Sequence, residues 1–197
     1  MEFKKENVIA AYNAASEELK KSFRLMFPEV DFEAEASQVD NRPITERVKT
    51  FEDACKVANV DIEKFNTEAT GWETDIVAYM KLRVIAAALN EGWEPQFTDD
   101  EERWYPWFTL WTEEELVDKN EEWKKEHALW LFGGSSNNGS ICGLAYASSF
   151  LAWSSSYASY SARLAVKNKE LATYFGKQFI SIWADYVGPF NRKQEAE

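Results

Sequence analysis

The chain is poor in the residues that build metal and redox sites. Its 197 residues hold one histidine, His127, and two cysteines, Cys55 and Cys142. One imidazole excludes a two-histidine metal site within a single chain. Two thiols exclude an all-cysteine zinc site and a disulfide scaffold. A Cys55–Cys142 disulfide stays open, although two unclustered thiols suit a reducing compartment better. Basic residues are scarce beside acids, 22 against 34, for a net charge of −12. Neutralising a phosphate backbone takes clustered Lys and Arg, so direct nucleic-acid binding is not expected. No run of about 18 apolar residues is present, which argues against a membrane span. Met1–Val8 shows neither the basic start nor the apolar run of a signal peptide. Phosphate-binding loops, a Gly-x-Gly-x-x-Gly turn, His-Glu-x-x-His and Gly-x-Ser-x-Gly are all missing, so no catalytic residue, metal or cofactor is expected. The balance is against a catalyst.

What the chain has is apolar and aromatic bulk: 45% hydrophobic and 15% aromatic residues, enough to build a core without staples. Apolar residues spaced by three and four predict a helix over 6–26 (Val8, Tyr12, Leu19, Phe23, Met26) and a second over 44–58. Asn59 is a plausible stop for the second, and one further turn is expected near 61–66. The strongest periodicity lies in Asp75–Asn90, apolar almost all round and therefore central. Asn90-Glu91-Gly92 ends it. Residues 103–111 (RWYPWFTLW) read as a strand, which Pro106 pushes to a sheet edge or a bulge. Thr112-Glu113-Glu114-Glu115 fits a capping box, with a short helix to about Lys125. Ala128–Phe132 reads as a short buried strand, 133–139 as a loop, and 140–148 and 153–166 as two or more strands. A last helix over 169–187 carries Leu171, Phe175, Phe179, Ile182 or Trp183, and Tyr186 inward. The expected fold is one α+β domain over 1–197. It has a helical N-terminal half (about 1–92), an aromatic part with a small irregular antiparallel sheet (about 93–166) and a long closing C-terminal helix (about 168–187).

Two neighbouring segments differ sharply. Glu91–Glu126 holds thirteen acids against four bases, a net of −9, and five of the nine tryptophans. Ala128–Ala162 then runs thirty-five positions without a charge, carrying ten serines, four glycines and two asparagines. The neutral run is either a core sheet of small side chains or a recognition surface. As a surface, Asn137, Asn138 and Ser140 offer amides and hydroxyls, while Tyr146, Trp153, Tyr157 and Tyr160 offer flat faces with polar edges. Arg163, the first charge after the run, could pair with an acid or hold an anion. The acids Asp99, Asp100, Glu101 and Glu102 are either a solvated face or an imitation of nucleic-acid charge. His127, at the end of a Glu/Lys run, is expected to be an exposed helix-end residue rather than a general base.

The strings PITERVKTFEDAC (43–55), ALNEGWEPQF (88–97), RWYPWF (103–108), FGG with CGL (132–134 and 142–144) and SARL (161–164) resemble a family of uncharacterised proteins found in phages and prophages of gut Bacteroidetes-type bacteria. The resemblance spans about residues 7–187. It implies no activity and no site residue. It does imply context: an accessory protein in the cytoplasm of the bacterial host, or a virion component. Locally, 133–164 is similar to the ligand-displaying part of C-type-lectin-like phage variable proteins. The resulting expectation is a non-catalytic phage accessory protein that binds a host or phage protein, or a small ligand, through the uncharged segment. The alternatives are an acidic anti-defence inhibitor and a virion structural component. A homo-oligomer paired along 104–111 is open.

Overall fold

A computed structural model describes residues 5–32, 40, 42–96, 98, 100–132, 141–153 and 162–188. Its contacts divide the chain into two compact units, Met1–Pro43 and Ile44–Glu197, where the sequence reads as one domain. The fold class is α+β, with many helices and a small three-stranded antiparallel sheet.

In the first unit the helix predicted over 6–26 is two: α1 (Lys5–Ala14) and α2 (Glu17–Met26). The break falls at Ser16, which is extended, and its hydroxyl accepts the Leu19 N–H at 3.4 Å. A cap that satisfies a free helix donor outweighs unbroken apolar spacing. Val8, Tyr12 and Phe32 form the buried centre, the Tyr12 and Phe32 rings stacked at 4.3 Å.

The second unit opens with α3 (Ile44–Arg47) and α4 (Phe51–Val57), again two helices where periodicity predicts one. Here the break is a full capping box. The Thr50 hydroxyl accepts the Asp53 N–H, and the Asp53 carboxylate accepts the Thr50 N–H. Asn59 stops α4 in the left-handed region (φ 53°). Asp61 caps α5 (Ile62–Ala69), which runs past the single turn expected. The long helix α6 (Thr74–Asn90) is the centre of the core, with Leu82, Ile85 and Leu89 fully buried. Its last residue, the buried Asn90, donates to the Ala165 carbonyl (2.9 Å) and accepts from the Lys167 N–H (3.1 Å). Glu91 beside it pairs with Arg47 and Lys167. One helix end thus fixes α3 and the stretch 165–167.

The sheet has the order β1-β3-β2, all antiparallel: β1 (Glu102–Thr112), β2 (Trp130–Leu131) and β3 (Ile141–Trp153). β1 and β3 pair from Glu102↔Trp153 to Thr112↔Ile141, with register shifts at Trp107/Phe108 and Trp111/Thr112 that leave Ala147 and Cys142 as the extra residues. Outside the strands, Trp104 exchanges both backbone hydrogen bonds with Val166 at 3.0 Å, so position 104 turns its polar groups away from β3. Strand alternation puts Pro106 on that same outward side, where its missing N–H costs no ladder bond. Three expectations are corrected here. The strand within 128–132 has only two residues, and both are exposed. The strand read over 140–148 is described from Ile141 and runs on to Trp153, thirteen residues in all. Of 153–166, Ala162–Leu164 is a 3-10 turn rather than a strand. Among the described residues β2 pairs with β3 alone, so it is an edge strand whose two side chains stay open to water.

Between β1 and β2 lie α7 (Glu113–Leu116), started by the Thr112–Glu115 capping box as expected, and α8 (Glu121–Glu126). The predicted closing helix is also split, into α9 (Lys169–Gln178) and α10 (Ile180–Val187), with Phe179 non-helical between them. Of its expected inward stripe Leu171, Phe175, Phe179 and Trp183 are buried, while Ile182 and Tyr186 are half-buried. Gly176 is where α9 touches the sheet; a Cβ there would lie 2.7 Å from both Pro106 Cβ and Tyr146 Cδ2. Among the described residues no helix is long and apolar enough to cross a membrane.

Candidate functional site

Asn137, Asn138, Ser140, Tyr157, Tyr160 and Asp99 lie outside the described residues. Trp153 ends β3 opposite Glu102, and its side chain is likewise outside the description. Tyr146, expected to present a ring for contact, is buried. α9 closes over it at Gly176, and its hydroxyl meets those of Ser149 (2.8 Å) and Thr173 (3.1 Å). Arg163 is exposed on the 3-10 turn. Of the acids, Asp100 and Glu102 are exposed, and Glu101 accepts the Gln96 N–H through both carboxylate oxygens.

His127 is not the exposed residue expected. It caps α8, stacks on Trp123 at 4.3 Å and donates from Nδ1 to the Trp123 carbonyl. Its own carbonyl accepts the Tyr146 N–H at 2.8 Å, which fixes α8 to β3. Trp111 meets Trp123 edge-on at 5.1 Å, and the Lys119 ammonium sits 4.8 and 5.1 Å from the two indole centroids. The acidic segment is therefore anchored to the sheet by its own tryptophans.

That anchoring forms a cleft where the two contrasted segments meet. Leu129, Leu131, Phe132 and Cys142 line it from the uncharged run; Glu113, Leu116, Val117 and Lys124 line it from the acidic segment. Its volume is about 360 Å³. Gly143 permits the convergence beneath it: a Cβ at that position would stand 3.1 Å from Leu129 Cδ1 and 3.2 Å from Leu116 Cδ1. Val117 is 76% and Leu131 61% exposed, so the cleft is rimmed by large apolar side chains in contact with water. Elsewhere on the sheet an exposed aromatic pair, Trp107 and Phe150, stands with its rings 6.2 Å apart.

The surroundings are anionic. Glu113–Glu126 holds seven acids against three bases, a net of −4. Glu113, Glu114, Glu121, Glu122 and Glu126 are exposed, and Lys124 is paired with Glu121 at 2.7 Å. Cys142 is a half-buried free thiol in the cleft wall, and Cys55 is a free thiol in the core, so the two are not bonded. Burial first, then the Glu113 carboxylate, push the Cys142 thiol up, which makes it a poor nucleophile at neutral pH. Among the described residues no group of three or more His, Cys, Asp or Glu could hold a metal ion. Among the described residues the slot offers apolar walls, an acidic rim and an unactivated thiol.

None of the cleft's apolar wall residues stands out in the sequence. A signal was nevertheless present: the Thr112–Glu115 box starts the helix that ends in Leu116 and is capped by Val117. The chain matches no protein-family model, no curated protein and no solved structure.

Proposed function

We propose that the chain is a non-catalytic binding protein. In this reading it takes a segment of a protein partner into the cleft between the uncharged strands and the acidic helices. The partner segment carries one or two apolar side chains flanked by basic residues. The resemblance to phage and prophage proteins makes a host or phage protein the expected partner. The observation that carries the reading is the cleft itself: Leu131 and Val117, exposed on a slot of about 360 Å³, border the one part of the chain with no charge and the part with most. Large exposed apolar residues rimmed by charge mark contact surfaces more often than free ones.

The test uses Cys142 as a reporter in the wall. A photo-crosslinking residue in place of Leu131 identifies the partner from host lysate, and the purified partner is then titrated against maleimide labelling of Cys142. Protection of Cys142 is expected. Leu131→Asp or Val117→Asp should weaken binding by about thirtyfold, the roughly 2 kcal/mol of burying one such side chain, without moving the unfolding midpoint. An undiminished labelling rate with saturating partner, or full affinity in both variants, refutes the reading.

A further inference from the structure

We infer that a second cleft, along α9, is a binding site for a small phosphate-bearing anion gripped by Lys49 and Lys177. α9 carries Glu170, Thr173, Tyr174, Lys177 and Gln178 at spacings of three and four, which places them on one face. That face and Thr45 and Lys49 line a shallow cleft of about 470 Å³. Two long-range hydrogen bonds fix its walls. The Tyr174 hydroxyl donates to the Val48 carbonyl at 2.7 Å, and Gln178 Nε2 donates to the Lys49 carbonyl at 2.9 Å. The backbone that bears Lys49 is therefore held against the helix that bears Lys177.

Each ammonium lies over a ring: Lys49 Nζ is 5.5 Å from the Tyr174 centroid and Lys177 Nζ is 5.1 Å from the Tyr146 centroid. A ring face steers a cation without cancelling its charge. Among the described residues neither ammonium is ion-paired, whereas Arg47 and Lys167 share Glu91 and Lys124 has Glu121. Glu170 is the one carboxylate lining this cleft, so its walls carry a net +1 in a chain of −12. A like-signed pair of ammoniums on one cleft wall favours an anion there, although the Asp53 charge also reaches Tyr174. Two ammoniums match a dianion better than a monocarboxylate, and the half-buried Tyr174 ring and the lysine stems leave apolar surface for an organic substituent. A phosphate monoester has both properties.

Isothermal titration of the full chain at fixed ionic strength tests this with phenyl phosphate, inorganic phosphate and acetate. Saturable one-to-one binding of a phosphate is expected, with acetate far weaker. Phenyl phosphate binding more tightly than inorganic phosphate assigns the site to organic monoesters; equal affinity assigns it to the free ion. Lys49→Met and Lys177→Met should each weaken binding by about fivefold, and Glu170→Gln should tighten it by about twofold. Because Lys177 touches Tyr146, Glu170→Gln serves as the arm that leaves the fold alone. Absence of saturable binding, acetate binding as tightly as phosphate, wild-type affinity in the double methionine variant, or no tightening in Glu170→Gln each overturns the inference.

Discussion

Gly176→Ala sets two effects of known sign against each other. In α9 a glycine costs helix stability, and on propensity alone alanine should stabilise by about 1 kcal/mol. The packing says otherwise. The added Cβ would stand 2.7 Å from Pro106 Cβ and from Tyr146 Cδ2, roughly 1 Å inside ordinary carbon contact. Pro106 is held in β1 and cannot rotate away; Tyr146 can yield only by shifting its hydroxyl from Ser149 and Thr173. Overpacking of this kind costs about 1–3 kcal/mol, and each hydrogen bond lost adds about 1 kcal/mol. The sum exceeds the propensity gain, so the variant should be less stable by about 2–4 kcal/mol. At about 2–4 °C per kcal/mol for a unit of this size, the midpoint should fall by roughly 4–16 °C. Urea unfolding followed by tryptophan fluorescence reads the difference directly. A variant as stable as the parent, or more so, would mean that α9 does not rest on the sheet at Pro106, and the placement of Thr173 and Lys177 would fall with it.

Two further outcomes concern titration. Burial opposes ionisation of Asp53, but the backbone N–H groups of Lys49 and Thr50 and the Thr50 hydroxyl outweigh it, so its carboxyl stays below the usual value. Its folded pKa being depressed, the stabilisation is complete above the unfolded value of about 3.9 and is lost as pH falls through the folded value. Urea midpoints between about pH 5 and 2.5 should show this decline, and Asp53→Asn should flatten it; an unchanged slope would show that the capping box is not formed. Tyr174 is pushed up to about 12 by burial and then by the Asp53 charge. Absorbance titration should show a late phenol ionisation approaching pH 12, and Tyr174→Phe should remove it. Here the folded value is raised, so stability is retained below the unfolded phenol value and declines as pH climbs towards the folded one.

The sequence shows what periodicity can and cannot disclose. α6 was legible because almost every face of it is apolar and a left-handed Glu91-Gly92 follows. The edge position of β1 was legible because a proline cannot serve two neighbours. The breaks at Ser16, Thr50 and Phe179 were not, because apolar residues continue at helical spacing across each of them. Thr50-x-x-Asp53 is the same device as Thr112-x-x-Glu115, hidden by the stripe around it. β3 runs through Ala, Ser and Gly, whose weak strand preference conceals its length. For the cleft, the sequence disclosed the contrast in charge but not the contact, which depends on Trp111, Trp123 and His127 stacking the acidic helices onto the sheet. Lys49 and Lys177 line one cleft because Tyr174 and Gln178 bond the backbone at 48 and 49, a tertiary contact that no local pattern discloses.

The charge around the first cleft also bears on whether its occupant is a second copy of this chain. A two-fold dimer through this cleft would bring the same patch of both copies together. Each patch has a local net of −4 from Glu113 to Glu126, so such a dimer would crowd like charges around an apolar contact. One pair of unit charges at 4 Å repels by about 1 kcal/mol in water and about 4 kcal/mol in a partly desolvated site. Several such pairs would offset the roughly 1.5–3 kcal/mol from burying each of Leu131 and Val117. Another route to self-association, extension of the sheet along β1, is interrupted where Val166 takes the backbone of Trp104 and where Pro106 withholds its donor. A partner of opposite charge meets neither obstacle, because the same acids then steer its approach and pair with its basic flanks. Raising salt should therefore weaken partner binding chiefly through a slower association rate, while Glu121→Gln and Glu122→Gln should reduce that salt dependence. A salt-independent association rate in the unsubstituted chain would remove the basic flank from the partner's description and leave only its apolar anchor.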